Sequence, residues 1–97
     1  MSLETHHAHI IKDPAICGGK ACIRGTRIRV LDIADAAERL ALSPDEICDQ
    51  YGGLTLAQVH TALAYYYDNQ EGIAADRDSE RQKVEWFQRE HPDQVAP

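Results

Sequence analysis

Three glycines, Gly18, Gly19 and Gly25, cut the first third of this chain into short apolar pieces, and that punctuation limits the fold more than any other feature. Pieces so short read as brief β-strands separated by turns. His9-Ile10-Ile11-Lys12 is the first, ending at Asp13-Pro14, where proline removes a backbone donor and biases its predecessor toward extended geometry. Ile16-Cys17 and Cys22-Ile23 flank Gly18-Gly19, which predicts a tight hairpin turn at the glycines. Gly25 interrupts again, and Thr26-Arg27-Ile28-Arg29-Val30 alternates polar and apolar side chains like a half-buried strand. Residues 8–29 therefore read as two or three strands too small to be stable alone. They must lean on the remainder of the chain.

That remainder is helical. From Val30 the apolar period changes: Val30, Ile33, Ala34, Ala37, Leu40 and Ala41 share one face, predicting a first helix over 30–41. Ser43-Pro44-Asp45-Glu46 is a helix start with a capping residue, a proline at the first helical position and an acid that can close a capping box. A short second helix over 44–50 should bury Ile47 and end at Gly52-Gly53 in a left-handed cap. Thr55-Leu56-Ala57-Gln58 repeats the capping pattern and opens a third helix over 56–69. Its apolar stripe is Leu56, Val59, Leu63 and Tyr66 or Tyr67, with Ala62 alongside and Gln58, Thr61 and Tyr65 pointing away. Residues 68–91 are highly charged, with Ile73, Val84, Trp86 and Phe87 as the large apolar side chains, and predict a helix that packs on something else. Pro92 should end it, and 93–97 should fray.

Ninety-seven residues suit one domain plus a tail, divided here as a β arm with three helices at 8–67 and a charged helix and tail at 68–97. The net charge of −6 argues against a protein that coats nucleic acid indiscriminately. Within the glycine-punctuated segment, however, Lys20, Arg24, Arg27 and Arg29 stand with no acid among them. This cationic strip is a local reversal of sign, able either to grip phosphates or to line a solvated strand face. No apolar run approaches a membrane span, and an odd cysteine count without a signal peptide fits a reducing cytoplasm.

Among motifs, the second and third helices with a glycine turn between them match a helix-turn-helix. The residues that would meet base edges are Thr55, Gln58 and Thr61, with His60 at the edge of the helix's apolar stripe. Gln58 suits bidentate reading of adenine, although this helix carries no Lys or Arg. His6, His7, His9, Cys17, Cys22 and Cys48 are metal-type ligands without a matching second pair, so they read as small packed cysteines and a histidine-rich end. No residues group into a catalytic constellation, and the expectation is a protein that is not an enzyme. Trp86 and Phe87 beside Arg77, Arg81 and Arg89 are the residue types that anchor protein interfaces.

The order Ile10-x-x-Asp13-Pro14, Ile16-Cys17-Gly18-Gly19-Lys20, Cys22-Ile23-Arg24-Gly25-Thr26-Arg27-Ile28-x-Val30, Ser43-Pro44-Asp45-Glu46-Ile47, Leu54-Thr55 and Ala62-Leu63-Ala64-Tyr65-Tyr66 closely resembles the domain-of-unknown-function family 433 over residues 8–75. Departures from its pattern are Ala21 where proline is usual, Arg29 where proline or another small residue is common, Gly52-Gly53 in place of a proline-containing turn, and no glycine before Ser43. The resemblance implies a mostly α fold with a short β N-terminus, homeodomain-like or winged helix-turn-helix, built as a three-helix core plus a C-terminal helix. It further implies a bacterial or archaeal antitoxin of a type II toxin–antitoxin system, encoded beside a PIN-like nuclease toxin. Such a protein is expected to act as a homodimer on operator DNA, with Lys20, Arg24, Arg27 and Arg29 on phosphates and Thr55, Gln58 and Thr61 near the bases. Its toxin contact is expected from Arg77, Arg81, Trp86, Phe87 and Arg89, with no cofactor and no membrane partner. The competing expectation is a non-enzymatic adaptor whose helices only pack together.

Overall fold

A computed structural model describes residues 3–4 and 7–92. The chain runs through strands β1 (Leu3–Glu4), β2 (Ile10–Lys12) and β3 (Cys22–Ile23) into helices α1 (Val30–Glu38), α2 (Pro44–Gln50), α3 (Leu56–Asp68) and α4 (Gln70–Glu90). The fold is mostly α with a short β N-terminus, as the sequence predicts. The strands form one antiparallel sheet in the order β1-β2-β3. β2 and β3 pair Ile10 with Ile23 and Ile11 with Cys22.

That register corrects the hairpin expected at Gly18-Gly19. Cys17–Gly19 is a single 3-10 turn, with the Gly19 N–H donating to Ile16 and the Lys20 N–H to Cys17. The reason lies in burial. Ile10 and Ile23 are both fully buried, whereas Ile16 and Cys17 are only half-buried, so the sheet pairs the segments that seal the core. The expected strand over 26–30 is also corrected. Its backbone turns at 24–27 and then makes one bridge, Cys22 to Arg29. The alternation still orients side chains: Val30 is fully buried, and half-buried Ile28 packs against the core.

The core gathers Ile10 and Ile23 from the sheet, Val30, Leu31, Ile33 and Ala34 from α1, Ile47 from α2, and Val59, Ala62, Tyr65 and Tyr66 from α3. Both capping boxes form. Ser43 Oγ accepts the Glu46 N–H at 3.2 Å while Glu46 Oε1 accepts the Ser43 N–H at 2.9 Å. The Ser43 backbone and hydroxyl hold the Glu46 carboxyl below its ordinary range. At α3, Thr55 Oγ1 accepts from the Gln58 N–H at 3.1 Å and Gln58 Oε1 from the Thr55 N–H at 2.8 Å.

Two apolar stripes differ from expectation. α1 ends at Glu38 and not at residue 41, leaving Leu40 60% exposed. Ala41 swings into the left-handed region at φ 54, and the Leu42 N–H closes on the Ala36 carbonyl at 3.0 Å. Half-buried Leu42 thereby takes the place on the core that the helical period assigns to Leu40. On α3, Tyr65 is buried at 8% exposure although its position predicts an outward side chain, while Leu56 and Tyr67 are exposed. Tyr65 lines a cavity with Lys12, Ala21 and Ile73, so the sheet and α4 cover a second side of α3. Of the α4 side chains, only Ile73 is buried. The expected fraying of 93–97 lies outside the described residues.

A left-handed alanine carries a Cβ that glycine lacks. Ala41→Gly should therefore stabilise the fold by about 0.5–1 kcal/mol, read as a higher midpoint at unchanged slope in urea unfolding.

Candidate nucleic-acid and partner surfaces

The cationic strip owes its shape to Thr26. Its hydroxyl donates to the Ile23 carbonyl at 2.8 Å and accepts the Ile28 N–H at 3.0 Å. The Thr26 N–H also donates to Ile23, and the Ile23 N–H donates to Ile28 at 2.9 Å. Gly25 sits at φ 81, where an L side chain would be strained. Residues 24–27 thus reverse the chain tightly and deliver Arg29 to the start of α1. There Asp32 Oδ2 accepts the Arg29 backbone N–H at 3.0 Å, and Asp32 Oδ1 accepts from the guanidinium at 2.7 Å. That bond raises the Arg29 pKa further and keeps the group charged.

The structure divides the four strip cations into two pairs. Arg24 and Arg27 lie at the turn, Arg24 exposed and Arg27 on the rim of a shallow hollow with Gly25 and Thr26. Lys20 and Arg29 instead converge on one acid of α4: Lys20 Nζ stands 2.7 Å from Glu80 Oε1, and an Arg29 terminal nitrogen pairs with the same oxygen. Their side chains are 17% and 26% exposed, and that of Glu80 32%. Sequence reasoning does not single out Glu80. A signal for it is nonetheless present, since Glu80 falls two turns after Ile73 and so on the same helix face.

Beside this lies a second polar junction. Arg77 donates to Asp35 Oδ1 of α1 at 2.6 Å, and Arg39 stands 3.6 Å from the same oxygen. Tyr66 donates to Glu38 at 3.0 Å, and burial together with that carboxylate raises the tyrosine pKa. Arg39, Ala74, Arg77, Asp78 and Arg81 line an open groove of about 410 Å³. The Arg77 Nε is buried and unpartnered among the described residues. Arg81 pairs with Asp78 and reaches Glu85 at 3.8 Å, which relieves its repulsion with Arg77. Asp35, Glu38 and Arg39 are further members that the sequence pattern leaves unmarked, because their places on the polar side of α1 and at its C-cap give no hint of the helix that meets them.

Past Glu80 the helix leaves the body. Residues 81–90 are all exposed, among them Arg81 and Arg89. Val84, Trp86 and Phe87 are 55%, 52% and 42% exposed, with His91 against the Phe87 ring at 4.5 Å. On α3, Thr55 and His60 are exposed, while Gln58 and Thr61 are half-buried. The Cys17 thiol donates to the Arg27 carbonyl at 3.2 Å, and burial, then the neighbouring Cys17, raises the Cys22 pKa. Cys48 is half-buried on α2, and His6 lies outside the described residues. Among the described residues no three metal-type ligands converge, and no helix is long and apolar enough to cross a membrane.

Residues 10–66, more than half of the chain, match the family model described as "Protein of unknown function (DUF433)". The chain belongs to the DUF433 family. Its structure is similar to the crystal structure of a DUF433 member protein from Anabaena variabilis, with 35% sequence identity and a TM-score of 0.63. That likeness covers 70% of this chain and 66% of the Anabaena chain, just under two thirds of its length. No curated protein matches the chain. The DUF433 segment holds the strip, α1 and α2, and α3 as far as Tyr66, so Glu80 and the exposed half of α4 lie beyond it.

Because Thr26 makes both side-chain bonds of the turn, Thr26→Val should cost about 1–2 kcal/mol in denaturant unfolding, while Thr26→Ser stays close to the parent. Equal loss in both variants would assign the effect to packing and not to the hydroxyl.

Proposed function

We propose that this DUF433 protein is the antitoxin of a type II toxin–antitoxin pair in the cytoplasm, binding and neutralising a PIN-like ribonuclease through α4. The observation that carries this reading is the exposed stretch at 81–90, where Val84, Trp86 and Phe87 stand in solvent among arginines. Large aromatics beside arginine anchor protein interfaces, whereas a helix that merely finished its own core would bury them. A PIN-like active site is a cluster of carboxylates that holds metal. A guanidinium delivered there pairs with those acids through two parallel hydrogen bonds and displaces the ion. Arg81 and Arg89 are the exposed candidates, and Arg77 would have to leave Asp35 to join them, with Trp86 and Phe87 as anchors.

The second part of the proposal is that a homodimer binds its operator through a homeodomain-like helix-turn-helix. The capped α2–turn–α3 unit, with Gly53 at φ 97 in its turn, supports it. Thr55, Gln58 and Thr61 would lie near bases and the strip cations on phosphates, with two-fold symmetry matching a palindromic site. An adaptor without DNA contact is favoured by a different observation: α3 carries no Lys or Arg, and Lys20 and Arg29 are already engaged by Glu80.

Two measurements separate these readings. The protein should co-purify with a PIN-like protein encoded beside it and suppress RNA cleavage. Combined Arg77→Ala, Arg81→Ala and Arg89→Ala should weaken that suppression about tenfold or more, since charge-assisted pairs are lost. Undiminished suppression would show that the arginines do not act on the active site. In a gel-shift assay on the DNA upstream of its gene, specific binding that weakens steeply with salt is expected. Absence of binding, with the toxin also present, would overturn the operator reading and support the adaptor.

A further inference from the structure

Lys20 and Arg29 make a site for one oxyanion. They flank β3 and the turn that Thr26 closes, and their nitrogens meet at a single carboxylate oxygen, Glu80 Oε1. Asp32 holds the Arg29 guanidinium from the other side, through Nε at 3.3 Å and a terminal nitrogen at 2.7 Å, so the group is aimed before any ligand arrives. An ammonium and a guanidinium converging on one oxygen is the arrangement that also grips a phosphate oxygen. The acid that fills it comes from α4, which reaches the body through one buried side chain, Ile73, and part-exposed ion pairs.

We propose that Lys20 and Arg29 form a nucleic-acid phosphate site, and that Glu80 is its built-in competitor, so that α4 caps the strip and restrains DNA binding until the Glu80 contact is released. This rests on the reading that the strip meets phosphates, and it adds how that contact is regulated. Charge complementarity selects the occupant. The protein carries a net charge of −6, and anion affinity must come from places where cations outnumber acids. At this place the balance is set by Glu80. With it the site holds Lys20 and Arg29 against Asp32 and Glu80; with Glu80 withdrawn, cations outnumber acids beside Arg24 and Arg27. The same helix carries Trp86, Phe87 and the arginines at 81 and 89 further out, so a partner that pulls on the outer half acts on the clamp through one continuous helix.

The full-length protein tests this with a random-sequence duplex of about 20 base pairs as the probe, titrated at several salt concentrations. Glu80→Gln keeps the side-chain shape and removes the charge. Glu85→Gln makes the same charge change on the exposed half, where its carboxylate faces Arg81 at 3.8 Å and not the strip. Glu80→Gln should bind the duplex about tenfold more tightly than Glu85→Gln, and its salt dependence should steepen by roughly one phosphate contact, ~0.9 in log–log slope. Adding Lys20→Gln and Arg29→Gln to the Glu80→Gln protein should remove the gain. A gain no larger than that of Glu85→Gln, or one that survives loss of both cations, overturns the proposal. The operator reading fails separately: duplex binding gained by Glu80→Gln without any preference for the upstream DNA would sustain the clamp and reject the sequence-specific regulator.

Discussion

Thr26 is the constraint on which the rest of the molecule depends. Its hydroxyl both donates and accepts, at 2.8 and 3.0 Å, and so closes a turn that two-residue strands could not hold by ladder bonds alone. The Val30 N–H then donates to Ala21 at 3.0 Å, which anchors the first residue of α1 to the loop before β3. With that anchor set, Ile23, Val30 and Ile33 face the same interior as Ile47 and Val59, and α2 and α3 have a surface to close upon. A hydroxyl therefore organises what no disulfide organises here, for Cys17, Cys22 and Cys48 are all free thiols.

The electrostatic organisation depends on the same turn. α1 and its N-cap present Arg29, Asp32 and Asp35, with Arg39 just beyond, along the side that α4 meets. α4 answers with Arg77 on Asp35 and Glu80 on Arg29 and Lys20. Each of these pairs is part-exposed, so each contributes modestly and in a salt-dependent way. Together with Ile73 they fix where the first half of α4 lies. The second half, from residue 81 to Glu90, is exposed throughout, so no tertiary contact of a buried side chain holds it.

Much of the architecture is legible in the sequence because it is written in local chemistry. Ser43 with Glu46 and Thr55 with Gln58 are i, i+3 pairs, and a capping box needs no tertiary context to form. The helices they open begin at Pro44 and Leu56, where the sequence places them. The features that periodicity misplaces are those decided by distant partners. Tyr65 falls outward when the stripe on α3 is drawn for one neighbour, whereas the sheet and Ile73 add another. Leu40 satisfies the helical period, yet the chain reverses at Ala41 and Leu42 takes the interior position. Glycines at 18 and 19 promise a hairpin, but strand pairing goes to the segments with the most to bury, Ile10 and Ile23. The strip is visible as a run of cations; that Lys20 and Arg29 are held by Glu80, far along the chain, is not, because only the fold brings that acid to them.

The cap of α3 has a consequence for any recognition by that helix. Gln58 spends its carbonyl oxygen on the Thr55 N–H at 2.8 Å, leaving its amide NH₂ to donate. A free glutamine matches adenine by accepting from one group while donating to another. Here one lone pair of the accepting oxygen is already tied to the N-cap backbone, which fixes where the side chain points. Gln58 in this state keeps both amide hydrogens but only one lone pair, so it meets the acceptor edges of guanine or thymine unchanged, whereas a bidentate contact with adenine must use that second lone pair or give up the bond to Thr55.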